Sequence, residues 1–155
     1  MITLKKRLIA LDVGTKTVGI ALTDPSQTIV TPLTVLRYEG VHDINTVFQA
    51  LQKVFSEQEP EKVIVGIPER EDGTESDQAK KIKAFVASFK RYLKKNKDDV
   101  QDLGESPLDW IFVNEDLSSV EANRLLAQKG VSPKKRKDKK DATAAAVFLQ
   151  WFLEK

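Results

Sequence analysis

The sequence predicts an α/β fold: a mixed five-stranded sheet, with three antiparallel strands followed by parallel strands, flanked by helices. Three short apolar runs joined by turn residues open the chain, as is typical of antiparallel strands. Two later apolar runs are separated by stretches with helical spacing, as is typical of parallel strands joined by helices. The length of 155 residues, 41% of them hydrophobic, suits a single domain over 1–155.

The first third of the chain predicts three antiparallel strands. Residues 8–12 and 18–23 are apolar runs rich in β-branched side chains, and the Gly-Thr-Lys-Thr sequence between them indicates a hairpin. A third run at 28–36 follows the turn-forming sequence Asp-Pro-Ser-Gln. These strands form the antiparallel part of the predicted sheet.

The middle of the chain predicts a helix, a buried strand and a second helix. Asp43 is placed to cap a helix whose apolar residues from Ile44 to Phe55 share one face, and Pro60 ends that region. Residues 62–67, KVIVGI, form a continuous apolar run of the kind buried on both faces of a parallel sheet. A polar loop leads to a basic amphipathic helix around 82–93, and the polar residues at 96–107 indicate a long surface excursion.

The last third predicts one strand and two helices. A strand at 110–113 leads to a helix in which Ser118 and Glu121 form a capping box, and Gly130 and Pro133 end that helix. The final helix, DATAAAVFLQWFLE, is expected to begin at Asp141. Residues 134–140 are expected to form a mobile basic loop before it.

Composition excludes several classes of function. The chain has no cysteine, which excludes disulfides and thiolate sites and favours a cytoplasmic protein, and a single histidine, His42, makes a zinc site improbable. No apolar run is long enough to span a membrane. The formal net charge of +2 is small, but basic residues cluster at 80–97 and 134–140, so nucleic-acid binding has to come from local patches.

Three acidic residues fall where strands or helices end. Alternation places Asp12 on one face with Leu8 and Ala10, where a buried carboxylate needs a cation or hydrogen-bond donors. Glu115 follows the last strand at the sheet edge where ligands gather in α/β proteins, and Asp141 stands at the predicted start of the last helix. Each also has an ordinary interpretation, as a turn residue, a solvated loop acid or a helix cap.

These three carboxylates together predict a divalent-metal site. Asp12, Glu115 and Asp141 supply the oxygen ligands that Mg²⁺ or Mn²⁺ prefers, and Glu69 and Asp72 are substitutes if the strand order differs. Two such ions about 3.5–4 Å apart assist phosphodiester hydrolysis. Nearby basic side chains would bind the phosphates of a nucleic acid; those expected to do so are Lys16, Lys134, Lys135, Arg136, Lys137, Lys139 and Lys140.

Three motifs, in order, resemble the YqgF family, also called RuvX, of the RNase H-like superfamily. They are LDVGTKTVGIAL at 11–22, VIVGIPEREDGTES at 63–76 and DATAAA at 141–146. The resemblance implies an RNase H-like fold and places the family's acidic triad on Asp12, Glu115 and Asp141. The family usually reads Asp-Glu-Arg-Leu after the last strand, whereas this chain reads Asn-Glu-Asp-Leu at 114–117.

The resemblance implies a divalent-metal nuclease that processes the 5′ end of pre-16S ribosomal RNA, with structured RNA and a ribosomal subunit as partners. A Holliday junction resolvase acting on branched DNA is the first alternative, and it requires a homodimer rather than a monomer. A non-catalytic RNA-binding factor associated with the ribosome is the second. The first motif also resembles the phosphate loop of actin-type ATPases, but those pair two such domains and this chain has the length of one.

Overall fold

The computed structural model describes residues 5–38, 43–96 and 108–155. Within them the chain forms five strands and four helices in the order β1 (Leu8–Val13), β2 (Thr17–Thr23), β3 (Val30–Arg37), α1 (Ile44–Gln58), β4 (Lys62–Ile67), α2 (Asp77–Lys95), β5 (Asp109–Asn114), α3 (Ser118–Gln128) and α4 (Pro133–Leu153). His42 and nearly all of the predicted 96–107 excursion lie outside the described residues.

The strands form one mixed sheet in the order β3-β2-β1-β4-β5. The pairs β1–β2 and β2–β3 are antiparallel, whereas β1–β4 and β4–β5 are parallel. The β1–β2 hairpin is closed by the Gly14 N–H, which donates to the Thr17 carbonyl at 2.7 Å. In the next turn the Asp24 carboxylate accepts from the backbone N–H groups of Thr28 and Ile29, each at 2.8 Å. The predicted mixed sheet is therefore confirmed.

The alternation of β1 divides the core between the two faces of the sheet. Ile9, Leu11 and Val13 lie on the face covered by α1 and α2, in a cluster rich in phenylalanine. Leu8 and Ala10 lie on the opposite face, against α4. The helices therefore cover both faces, and Asp12 continues the α4 face of β1, as the alternation predicts.

A close approach of α4 to β2 holds that second face together. A Cβ built on Gly19 would lie 2.3 Å from both the carbonyl carbon and the carbonyl oxygen of Asp141. Real Cβ atoms do not come this close to backbone, so only glycine allows α4 to sit here. Since Gly19 is paired with Asp12 across β1 and β2, this contact brings the middle of α4 beside the end of β1.

The start of α4 differs from the prediction. The helix begins at Pro133, eight residues before Asp141, with Ser132 as its N-cap accepting from the Lys135 N–H. Proline suits the first position of a helix, and lysine and arginine are good helix formers. The predicted mobile loop at 134–140 is therefore wrong, because these residues form the first two turns of α4. Asp141 lies in the interior of the helix and is not its N-cap.

The start of α3 also differs from the prediction. Its N-cap is Leu117, in the left-handed conformation at φ 69°, and no side chain caps the helix. Ser118 is buried, and Glu121 instead pairs with Arg124 one turn along. The predicted capping box is therefore absent. Gly130, at φ 77°, follows the helix as predicted, but Pro133 opens α4 and does not end α3.

Membrane spanning finds no support in the helices. Within the described residues, none of them has the length and apolar character that crossing a bilayer requires.

Candidate active site

The ends of β1 and β5 and the middle of α4 meet at one edge of the sheet. Asp12 is the fifth residue of β1, and β4 lies beside it in parallel, with Leu11 paired to Val65. Glu115 follows the last residue of β5, on the far side of β4. Because parallel strands end at the same edge, both carboxylates lie at the carboxyl edge formed by β1, β4 and β5.

Asp12 and Glu115 lie within hydrogen-bonding reach of each other. Burial, the negative charges of Glu115 and Asp141 and the bond to Glu115 together raise the pKa of Asp12 to about 8. Burial also raises the pKa of Glu115, while the bond from Asp12 acts in the opposite direction. The proton therefore belongs on Asp12 near neutral pH, and the Asp12 carboxyl donates to the Glu115 carboxylate.

Asp141 is held beside these two residues by a side chain from the hairpin. The Thr17 hydroxyl donates to the Asp141 carboxylate at 2.5 Å, across 124 residues of sequence. The close contact of Gly19 in β2 with the Asp141 backbone also fixes the position of this turn of α4. Thr17 and Gly19 thus determine where the Asp141 carboxylate lies.

Gly66 of β4 provides the space that Glu115 occupies. A Cβ built on Gly66 would lie 2.9 Å from the Glu115 Oε2 atom and 2.7 Å from the ring of Phe148. At the end of β5, the Asn114 side chain accepts a hydrogen bond from the Asp116 N–H at 2.8 Å and tightens the turn that follows the strand. The Asp116 carboxylate adds a negative charge that raises the pKa of Glu115. Asn114 therefore stabilises the turn after β5, while Asp116 adds electrostatic repulsion to Glu115.

The donor chemistry of this cluster suits a divalent cation. Within residues 5–38, 43–96 and 108–155, no three Asp, Glu or His side chains stand ready-spaced around a metal position. The three carboxylates nonetheless supply only oxygen ligands, and after burial their mutual repulsion is the next cause of the raised pKa of Asp12. A bound divalent cation would offset that repulsion in place of the proton. Asp12, Glu115 and Asp141 are therefore the residues that would hold it.

Basic residues from α4 lie close to the carboxylates. The positive charge of Lys140 lowers the pKa of Asp12, against the larger effects that raise it. Arg136, one turn earlier, is half-buried, and its Nε atom is buried with no hydrogen-bond partner among the described residues. The remaining basic residues predicted to bind phosphate are exposed, on the hairpin or along the first turns of α4: Lys16, Lys134, Lys135, Lys137 and Lys139.

Glu69 and Asp72, the substitutes considered for the acidic triad, take no part in the carboxylate cluster. Glu69 is exposed beyond the end of β4, and Asp72 binds the backbone and hydroxyl of Thr74 in its own loop. The strand order makes no use of either residue.

The sequence prediction missed Thr17, Gly19 and Gly66. Each lies inside a quoted motif, but their use depends on which elements face them in three dimensions. A threonine at a hairpin base and two strand glycines carry no such signal on their own.

Sequence comparisons match nearly the whole chain. The RuvX family model, described as "Holliday junction resolvase", matches residues 6–155. A protein of Desulforamulus reducens named "Putative pre-16S rRNA nuclease" is 36% identical over 149 residues, which is 96% of each chain. A protein of Thermoanaerobacter pseudethanolicus with the same name is 33% identical, again over 96% of each chain.

Solved structures share the fold. The Thermus thermophilus RuvC structure aligns with a TM-score of 0.53 at 13% identity, covering 95% of this chain and 93% of that one. The yeast mitochondrial Holliday junction resolvase Ydc2 aligns with a TM-score of 0.51 at 10% identity, covering 99% and 82%. These likenesses show an RNase H-like fold of the RuvC type, and together with the family match they establish that this chain belongs to the RuvX family.

Proposed function

We propose that this protein is a divalent-metal-dependent endonuclease that hydrolyses phosphodiester bonds and processes the 5′ end of pre-16S ribosomal RNA. The observation that carries the proposal is the meeting of Asp12, Glu115 and Asp141 from three distant parts of the chain. The names of the relatives support the choice of substrate. In this proposal the whole chain acts as one nuclease domain in the cytoplasm, with the ribosomal subunit as a partner.

The residues divide between holding the metal and binding the substrate. Asp12, Glu115 and Asp141 hold Mg²⁺ or Mn²⁺ when it is bound. A bound divalent cation stabilises charge that develops on phosphoryl oxygens and makes water more acidic. Lys140 contributes a positive charge beside Asp12 where a substrate phosphate approaches.

The basic side chains bind the polyanion outside the carboxylate cluster. Consecutive residues of a helix point in different directions, so the cations of residues 134–140 surround the first two turns of α4. Lys16 at the hairpin tip is a further exposed cation, one residue before Thr17. These contacts are electrostatic and carry no base sequence information, so they bind structured RNA without selecting a cut position.

The test offers purified protein and Mn²⁺ a ribosomal RNA precursor and a four-way DNA junction side by side. Cleavage of the precursor that stops in EDTA supports the proposal. The variant Asp12→Asn should fold and bind RNA but cleave at least about a hundredfold more slowly, because an amide is a poor ligand for a hard cation. The matched control is Asp109→Asn, an exposed carboxylate at the start of β5. Equal cleavage by Asp12→Asn and wild type would refute the assignment of the site.

A junction resolvase is the second candidate, and the comparisons favour it. The family description names Holliday junction resolvase, and one of the aligned structures is T. thermophilus RuvC in complex with a Holliday junction substrate. This reading requires a homodimer that presents two sites to one junction. Preferential cleavage of the four-way DNA by a dimer in solution would establish it over the RNA substrate.

A non-catalytic RNA-binding factor is the third candidate. The absence of three ready-spaced ligand side chains within the described ranges favours it. It predicts salt-sensitive RNA binding with no dependence on metal. Cleavage stimulated by Mn²⁺ would exclude it.

A further inference from the structure

The helix α2 carries a strongly one-sided charge. Its 19 residues include seven lysines and arginines and one acid, Asp77, a formal charge of +6 in a chain whose total is +2. The formal charges of the rest of the chain therefore sum to −4, even though residues 134–140 are also basic. A face that serves only solubility mixes both signs, as α1 does with Lys53 and Glu57, whose charged groups are 3.9 Å apart.

Few of these cations have acidic partners. Lys83 pairs with Glu75 at 3.1 Å, and within the described chain no other basic residue of α2 has a carboxylate oxygen within 4.0 Å. Lys83 and Lys90 also lie over aromatic rings of β5. The remaining five cations of α2 are exposed: Lys80, Lys81, Arg91, Lys94 and Lys95. Their charges are thus available to an anionic partner.

Side chains of α2 and the turn that follows Asp12 line one groove. The groove has a volume of about 390 Å³. Its lining includes Gly14 and Thr15, which lie two and three residues after Asp12, and Lys81 and Ser88 of α2. A molecule in this groove therefore lies between a cationic helix and the turn that follows Asp12.

Aromatic rings line the same groove. Tyr38 and Phe85 are stacked with their ring centroids 6.3 Å apart, and both contribute to its lining. The Tyr38 hydroxyl donates to the Gly14 carbonyl at 2.8 Å, which ties the rings to the turn. A cationic track beside aromatic rings is the arrangement by which proteins bind single-stranded nucleic acids.

We propose that α2 and this groove bind the phosphate backbone of a single-stranded polynucleotide segment next to the bond that is cleaved. The inference rests on the proposed nuclease function and adds a surface on the side of the sheet opposite α4. At 1.5 Å per residue, the cations of α2 from Lys80 to Lys95 form a track about 23 Å long. The phosphates of one strand neutralise its cations and release counterions, so binding depends steeply on salt.

The test measures binding in EDTA, where no cleavage takes place. Fluorescence anisotropy follows a labelled single-stranded RNA of about 20 nucleotides across a range of salt concentrations. The triple variant Lys81→Gln, Arg91→Gln and Lys95→Gln keeps long polar side chains on the helix and removes three charges. The matched control, Lys5→Gln, Lys6→Gln and Lys155→Gln, removes three exposed charges elsewhere. Circular dichroism confirms that both variants are folded.

The α2 variant should bind at least about tenfold more weakly at low salt. Its slope of log affinity against log salt should fall by about 2, since each phosphate contact to a single strand contributes about 0.7. The control should stay within about twofold of wild type. Single-stranded DNA should respond as RNA does, because the contacts are to phosphate.

Two results would overturn the inference: an α2 variant that binds like the control, or a duplex of the same sequence that depends on α2 as strongly as the single strand. A separate reaction with Mn²⁺ keeps the two proposals distinguishable. Binding that depends on α2 without any cleavage refutes the nuclease function alone. Cleavage with normal binding by the α2 variant refutes this surface alone.

Discussion

Asp12 is a carboxyl group whose surroundings favour its neutral form. In an unfolded chain its pKa is near 3.8, whereas burial and two neighbouring carboxylates raise it to about 8 in the fold. Below pH 4 the group is protonated in both states and costs nothing. Between pH 4 and pH 8 the unfolded chain loses the proton and the folded chain keeps it, so stability falls as the pH rises.

The variant Asp12→Asn should therefore stabilise the metal-free protein while it removes activity. The difference in melting temperature between the variant and wild type should be near zero below pH 4, grow up to about pH 8 and then level off. Thermal melts in EDTA across this pH range measure it. The control Asp109→Asn should show no such trend, and a wild type that is more stable than Asp12→Asn at pH 8 would contradict the account.

Thr17 is a positioning residue for Asp141, through the hydrogen bond at 2.5 Å. Thr17→Val keeps the shape and removes the donor. A hydrogen bond to a charged group contributes about 1.5–3 kcal/mol, so we expect cleavage about ten- to a hundredfold slower and a higher Mn²⁺ requirement. Thr17→Ser keeps the hydroxyl and should restore most of the rate. If valine and serine variants need the same Mn²⁺ concentration as wild type, the hydroxyl does not position the carboxylate.

At the scale of elements, periodicity was enough to predict the sheet and the helices, but it could not predict where α4 begins. The apolar pattern starts near Ala142, and the preceding lysines give no periodic signal. Pro133 follows Gly130 and so indicates the end of a helix, but proline equally suits the first position of the next one. Asp141 therefore lies in the interior of α4 and not at a helix terminus, where the helix dipole would favour its charge. Its hydrogen-bond partner is the Thr17 hydroxyl.

The convergence of the three acids could be proposed from sequence because strand ends in α/β folds meet at one edge. The contacts that hold these acids in place could not be predicted from sequence. Gly19 and Gly66 act by allowing other elements to pack closely against them, and the sequence does not show which elements those are.

These two glycines predict contrasting variants. Gly19→Ala places a methyl group against the α4 backbone, which cannot yield locally, so we expect a loss of stability of about 1–3 kcal/mol or more. Gly66→Ala meets side-chain atoms of Glu115 and of the buried Phe148, so it should displace the Glu115 carboxylate and lower activity, with a smaller loss of stability than a clash with backbone causes. Denaturant unfolding and cleavage rates on the same samples compare them. Equal losses of stability in both variants would contradict the distinction.

At the scale of the whole molecule, metal binding should couple to folding and to pH. A cation held by Asp12, Glu115 and Asp141 binds the folded chain and not the unfolded one, and at a hundred times its dissociation constant it adds about 2.7 kcal/mol. Because Asp12 must lose its proton, the apparent affinity should rise about tenfold per pH unit up to about pH 8. Calorimetry with Mn²⁺ at several pH values measures this. Asp12→Asn should show little of the increase, and pH-independent binding by wild type would contradict the shared-proton account.

The distance in sequence between Thr17 and Asp141 has a consequence for folding during synthesis on the ribosome. Domains fold as their segments emerge during synthesis, and contacts between distant segments form late. The helix α4, which carries Asp141, follows all five strands in the chain, so before it emerges from the ribosome the cluster of acids is incomplete and one sheet face is uncovered. The three carboxylates can therefore meet only after α4 has been synthesised and has packed against the sheet.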